Sequence, residues 1–369
     1  MSVQLQMEKQ GKQPVRPRRK AANCLERDSG RTDRLDVLDV PEVPGLGFRR
    51  FCGEADYAAM SAVINGSKEA DGLEWTNSAE DVERTYRHLV NCSPETDMLF
   101  AEVEGNVVGY SRVWWSQEAE GTRFYQHFAH LLPEWRGKGI RRVLVYRNER
   151  RLQEIAREHP EDGPRFFEAW SSDTEEHWQG LLQAAGYEAV RWAFGMVRPD
   201  LEGIPDLSLP EGVEVRPVRP EHVPLIWAAA KEAFRDHWHY SEDEWSLEHL
   251  REWQESPTYT PELWQVAWAG DEVAGMVQSF VNEAENQEYG RQRGYTEGIS
   301  VRRPWRRQGL ARALIARSFE VLKDQGMAEA ALGVDADNPN GALQLYESMG
   351  FRIVKRHITF RKPLIKRSA

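Results

Sequence analysis

The sequence predicts an α/β protein made of two tandem copies of one unit, each a mixed, twisted sheet flanked by helices. Three observations lead there: a long internal repeat, alternating strand and helix patterns within each copy, and a basic turn joining a strand to a helix.

The repeat begins at Leu46. Leu46-Gly-Phe-Arg-Arg-Phe resembles Val213-Glu-Val-Arg-Pro-Val, and the segment ending in Gly109 resembles the one ending in Gly275. Pro133-Glu-Trp-Arg-Gly-Lys-Gly matches Pro304-Trp-Arg-Arg-Gln-Gly, and Leu181-Leu-Gln-Ala-Ala-Gly-Tyr matches Leu345-Tyr-Glu-Ser-Met-Gly-Phe. The four matches keep one order at offsets of 164 to 170 residues. A period this long is no solenoid and implies a duplicated domain. The expected division is a flexible basic tail at 1–44, an N-terminal copy at 45–198, a linker at 199–212 and a C-terminal copy at 213–369. Pro199, Gly203, Pro205, Pro210 and Gly212 mark the linker.

Within the second copy, the apolar run Trp264–Trp268, the turn Ala269-Gly-Asp-Glu and the run Val273–Phe280 predict a hairpin. A further strand ends at Val301. Leu310, Leu314, Ile315, Phe319 and Leu322 then recur at helical spacing, and Gly326 stops that helix. Ala330–Val334 reads as a short buried strand and Gly341–Met349 as a helix. Strands alternating with helices in this way imply an α/β sheet with helices on both faces.

Composition narrows the class. The 369 residues are 40% hydrophobic, enough for a substantial core. No run of eighteen apolar residues exists, so no membrane span is expected, and the N-terminus lacks the apolar stretch of an export signal. Cys24, Cys52 and Cys92 lie far apart without a CxxC pair, which suggests neither a disulfide framework nor a zinc site and suits the cytoplasm. The net charge of -11 disfavours nucleic acid as a partner. The tail carries six basic residues and no acidic one between Lys9 and Lys20. It reads as a solvated arm.

The chemistry concentrates in Gly298-Ile-Ser-Val-Arg-Arg-Pro-Trp-Arg-Arg-Gln-Gly-Leu-Ala-Arg. A strand enters a basic turn that opens a helix, whose first N–H groups have no internal partner and whose dipole is positive there. That arrangement suits a pyrophosphate. Gly309 and Ala311 stay small where an anion must approach the backbone, while Arg306, Arg307 and Arg312 add charge. The segment is neither a Walker A loop nor a G-x-G-x-x-G fingerprint.

Arg306-Arg-Gln-Gly-Leu-Ala fits the [QR]-x-x-G-x-[GA] signature of the GNAT superfamily of acyl-CoA N-acyltransferases, which the chain resembles over about 213–363 and more weakly over 46–198. Asp337-Asn-Pro-Asn-Gly-Ala-Leu-Gln-Leu-Tyr-Glu-Ser-Met-Gly-Phe looks like that family's second block. The resemblance implies acetyl-CoA as co-substrate and no metal. It places the pantetheine arm along Ile299, Ser300 and Val301, and the diphosphate on Arg306, Arg307, Gln308, Gly309, Leu310, Ala311 and Arg312. Asn338 falls near the pantetheine amides, and Tyr346 matches the tyrosine that protonates the departing thiolate. Glu297 lies four residues before Val301, hence on the same strand face if no bulge intervenes, and is expected to orient the amine or take its proton. Glu-Gly-Ile-Ser-Val and the terminal Phe360-Arg-Lys-Pro-Leu also resemble aminoglycoside 6′-N-acetyltransferases. His237, Trp238, His239 and Tyr240 fall where the family forms its acceptor pocket. The acidic and aromatic residues of 236–255 read as an amphipathic helix with a solvated face.

The first copy departs from the signature: Arg141 stands where Gly or Ala is expected, and Leu182 matches Tyr346. It is expected to be catalytically silent. Similar tandem arrangements occur in mycothiol synthase-like proteins. The implied activity is direct transfer of an acetyl group to a primary amine, with aminoglycoside, polyamine, amino-sugar thiol precursor and peptide acceptors all open, and a monomer or homodimer as the assembly. The alternative is a non-catalytic acyl-CoA-binding or sensing protein on the same duplicated fold.

Overall fold

The computed structural model describes residues 41–364; all of the basic tail but residues 41–44 therefore lies outside the described residues. The first copy comprises β1 (Leu46–Arg49), α1 (Tyr57–Asp71), α2 (Ala79–Arg87), α3 (Pro94–Asp97), β2 (Met98–Val103), β3 (Asn106–Gln117), β4 (Arg123–Leu131), α4 (Ile140–Arg157), β5 (Arg165–Ser172), α5 (Glu176–Ala184) and β6 (Glu188–Arg198). The second repeats it with β7 (Val213–Arg216), α6 (Val223–Phe234), α7 (Leu247–Gln254), β8 (Gln265–Ala269), β9 (Glu272–Val281), α8 (Glu283–Tyr289), β10 (Arg293–Val301), α9 (Leu310–Asp324), β11 (Glu329–Asp335), α10 (Ala342–Ser348) and β12 (Arg352–Pro363).

All twelve strands form one mixed sheet in the order β1-β2-β3-β4-β5-β12-β6-β11-β10-β9-β8-β7. The arrangement is two-fold symmetric about the β12–β6 pair, and the copies exchange their last strands. β12 inserts between β5 and β6, while β6 inserts between β12 and β11. A cut in the 199–212 linker thus separates the sequence repeats without separating the sheet. That linker is itself anchored, since Leu201 is buried and Leu207 and Leu209 pack against the α9 core.

Two strand pairs are parallel, β4 with β5 and β10 with β11. Each needs a crossover, which α4 and α9 provide. The apolar stripe Leu310, Leu314, Ile315, Phe319 and Leu322 is fully buried, so α9 is held by its predicted face. Both pairs are hydrogen-bonded only at their starts and then splay, opening a cleft in each copy.

Side chains from each copy reach across to the other. Glu248 on α7 meets His88 at 2.6 Å and Glu255 meets Arg87 at 2.9 Å, so part of the acidic 236–255 face is a contact surface with the first copy. Of the cysteines, Cys92 is a free thiol pushed up to about 12 by burial. Among the described residues, no helix is long and apolar enough to cross a membrane.

Candidate active site

The turn between β10 and α9 has the conformation that the basic segment calls for. Arg307 (φ 64°) and Gly309 (φ 83°) are both left-handed, which turns successive amides toward one side as an anion-binding nest. Ala313 donates to Gly309 O, so the helical amides before it have no acceptor in α9. The Arg306 guanidinium is committed inward rather than to the nest. It donates to Val301 O at 2.9 Å, to Ala233 O at 3.2 Å and to Asp236 Oδ2 at 2.9 Å. Asp236 also holds Arg303, and the two guanidiniums keep its carboxyl down at about 2. The signature arginine therefore clamps the turn to the end of α6. Sequence reasoning missed this contact, because Asp236 and Arg306 lie 70 residues apart.

On the strand side, β10 pairs with β9 as Glu297↔Gln278 and then as Ser300↔Met276, with a bulge between them. The extra residue rests on Gly298 (φ 58°), where a Cβ would come within 2.2 Å of Gln278 Oε1. The bulge reverses the facing, so Glu297 and Val301 do not share a strand face as a regular strand would have them. Glu297 turns instead toward the side of Gln278 and accepts a hydrogen bond from the Gly333 amide of β11 at 2.7 Å, across the mouth of the splay. It remains partly open to solvent but is recessed enough that burial lifts its carboxyl to about 7.

Arg302 donates to Ala274 O, which makes Val301↔Gly275 a pair without mutual hydrogen bonds. The Val301 and Ile299 backbone groups consequently point away from β9, toward the splay. Tyr346, on α10, is buried against Phe351, and its hydroxyl donates to no protein group among the described residues. Burial and then the Glu297 charge push its phenol well above the ordinary value, so the proton is retained at neutral pH.

Residues 227–351, carrying this nest, splay and tyrosine, match the acetyltransferase (GNAT) family. The chain's C-terminal copy is a GNAT domain. A mycothiol acetyltransferase from Geodermatophilus obscurus is 29% identical over 301 residues, covering 80% of this chain and 91% of the relative. A solved GCN5-related N-acetyltransferase from Sphaerobacter thermophilus superposes with a TM-score of 0.66 at 25% identity, covering 89% of this chain and 98% of that one. A tandem GNAT protein from the clavulanic acid biosynthesis pathway shares the fold at 15% identity, with a TM-score of 0.61 over 88% of this chain and 100% of that one. The protein is accordingly an acyltransferase of tandem GNAT architecture, and GNAT acetyltransferases use acetyl-CoA.

The other expected residues of this GNAT protein divide into two groups. His237 packs against Phe234 with ring centroids 4.5 Å apart and tilted, and Trp238 lies under the Arg191 guanidinium at 5.2 Å. Arg191 in turn pairs with Asp335 at the end of β11, which brings Trp238 to the cleft edge. His239 and Tyr240 point elsewhere. His239 meets the fully buried Glu168 of the first copy at 2.7 Å, and Tyr240 donates to Glu242 at 3.0 Å. Asn338 closes a turn, its Oδ1 accepting from the Asn340 amide. Gln308 donates to Pro304 O, and Leu310, the first residue of α9, is buried. Among the described residues, no group of three or more His, Cys, Asp or Glu side chains could hold a metal ion.

The first copy keeps the turn but not the residues expected to act in the second. Gly139 repeats the left-handed φ of 83°, and Arg136 pairs doubly with Asp71 at 2.8 and 2.6 Å, the counterpart of the Arg306–Asp236 clamp. Its β4 pairs with β3 without a bulge, so the place of Glu297 falls to Phe128. Arg141 enters the splay and donates to Ala129 O at 2.6 Å, over the Trp178 ring at 4.3 Å. Burial depresses this guanidinium to about 10.

Proposed function

We propose that the protein is an acetyl-CoA-dependent N-acetyltransferase whose C-terminal copy transfers the acetyl group directly to a primary amine of a small molecule. The observation that carries the reading is a carboxylate, Glu297, set across the splay of β10 and β11 by the Gly333 amide, together with the left-handed nest that opens α9.

In this reading the diphosphate rests on the amides of 307–312 and the pantetheine arm pairs with the Ile299 and Val301 backbone. The thioester carbonyl then lies by the Val301 amide, which stabilises the developing oxyanion. Glu297, half-ionised near neutrality, accepts the ammonium proton directly or through water, freeing the lone pair for attack. Tyr346 donates to the sulfur as the C–S bond breaks. The two roles are coupled. Once Glu297 is protonated, its charge no longer raises the phenol, so Tyr346 becomes a better acid in the step that needs one.

The acceptor class is inferred from the relatives. The similarity to a protein named mycothiol acetyltransferase, across most of both chains, supports an amino-sugar thiol precursor over an aminoglycoside, polyamine or peptide. Release of free thiol from acetyl-CoA, followed across one representative of each class, tests this. Turnover with the thiol-precursor amine in preference to the others is the expected result. Acetyl-CoA binding without turnover on any amine would instead support the acyl-CoA sensor.

A further inference from the structure

Neither backbone nor packing requires a glycine at 333. Gly333 lies inside β11 in unbroken register with β6, as Leu332↔Met196, Gly333↔Gly195 and Val334↔Phe194. Neither glycine of the central pair is left-handed. A Cβ at 333 would meet only Glu297 Oε1, at the ordinary contact distance of 3.7 Å. Glycine weakens a strand, and where no bulge, turn or crowding calls for it, it marks close approach by a ligand.

Gly333 is exposed and Gly195 half-buried, so the sheet beside Glu297 presents a floor of bare backbone. Register partners of an antiparallel pair share a face, which puts both glycines on the side where Glu297 accepts the Gly333 amide. Beyond Gly195 the floor ends at Lys355, whose Cβ lies 3.2 Å from where one at 195 would stand. The Lys355 ammonium is drawn off to Gly72 O and Thr174 Oγ1 of the first copy.

The first copy fills the same place. Gly195 and Thr359 are equivalent through the 164-residue offset that relates Gly186 to Gly350, and Thr359 pairs with Trp170 as Gly195 pairs with Gly333. Trp170 stacks on Trp114 with ring centroids 5.8 Å apart. Of the two copies, the one that carries Glu297 keeps the floor open.

We infer that Gly333 is a specificity-determining residue, admitting an acceptor whose primary amine stands on a branched carbon. The inference rests on the acetyltransferase reading above. An amine donating to Glu297 lies about 3 Å from its oxygens, so the carbon that bears it stands over Gly333. With no side chain beneath, that carbon can carry two substituents, as at a ring position of an amino sugar or the α-carbon of an aminoacyl group. An amine on an unbranched methylene, as in a polyamine, needs no such room.

Two isomeric pairs test this on the full chain: 2-amino-2-deoxyglucose against 6-amino-6-deoxyglucose, and alaninamide against β-alaninamide. Loss of the thioester at saturating acetyl-CoA is followed for the native protein and Gly333→Ala, with acetyl-CoA affinity and melting temperature measured on both. The native protein should favour the branched member of each pair in kcat/KM. Gly333→Ala should lower kcat/KM for that member by about ten- to hundredfold and for its isomer by less than about threefold, with acetyl-CoA affinity unchanged. A folding defect would lower both members alike, so the ratio reads the floor itself. Turnover without preference for the branched amine, or a loss shared by both members, overturns the proposal and leaves the acetyltransferase reading intact. No turnover of any of the four by protein that binds acetyl-CoA overturns both.

Discussion

The two turns of this molecule, Arg136–Arg141 and Arg306–Ala311, share a backbone and differ in what the backbone can receive. Both place a left-handed glycine before the helix, at φ 83°, and both tie their first arginine to an aspartate at the end of the preceding long helix. The clamp is present in both copies, although only one carries Glu297 and Tyr346, so it serves the scaffold. What separates the copies is one glycine bulge and three side chains: Gly298 with Glu297 against Phe128 on a regular strand, Ala311 against Arg141, and Tyr346 against Leu182. A fold can thus be kept by its ion pairs while its chemistry is removed a residue at a time.

Transplanting the first copy's arginine should break the contrast most severely. Ala311→Arg places a guanidinium where the pantetheine and diphosphate must pass, and thiol release should fall to background while the melting temperature stays near native. Glu297→Gln comes next, lowering kcat/KM by about 10²–10³-fold. The native kcat/KM should rise with pH through about 7 as Glu297 ionises, and the glutamine variant should lose that limb. The reverse change, Phe128→Glu, should produce no activity in the first copy, because no bulge aims the side chain there. Tyr346→Phe should lower kcat by about 10²-fold with little change in KM, since the phenol acts on the leaving sulfur. The smallest effects sharpen the scaffold half of the comparison. Asp236→Asn should raise KM for acetyl-CoA by about tenfold with kcat nearly unchanged, because loosening the turn misplaces the nest. Asp236→Glu should restore part of that loss, and Asp71→Asn should lower only the melting temperature.

Much of this was legible in the residues, for a physical reason: the nest, its glycine and the α9 stripe are local, and local backbone chemistry is written in consecutive positions. Tyr346 was singled out by the resemblance of 337–351 to the family's second block, not by any local signal of its own. The bulge at Gly298 was not, since an extra residue shows only against a partner strand, and it reversed the facing of Glu297 relative to Val301. The exchange of β6 and β12 was equally hidden, because either strand satisfies the same sheet position. His239 read as an acceptor-pocket residue because Glu168, its partner, lies 71 residues away in the other copy. Arg306 read as a phosphate ligand from its charge and its place in the signature, whereas its guanidinium is held by Asp236.

The number of acetyl-CoA molecules bound per chain bears most directly on the assignment of acyl transfer to one copy. Calorimetric titration of the full chain should give one equivalent, abolished by Ala311→Arg. Two equivalents, or one that survives Ala311→Arg, would place the co-substrate in the first copy and contradict the account.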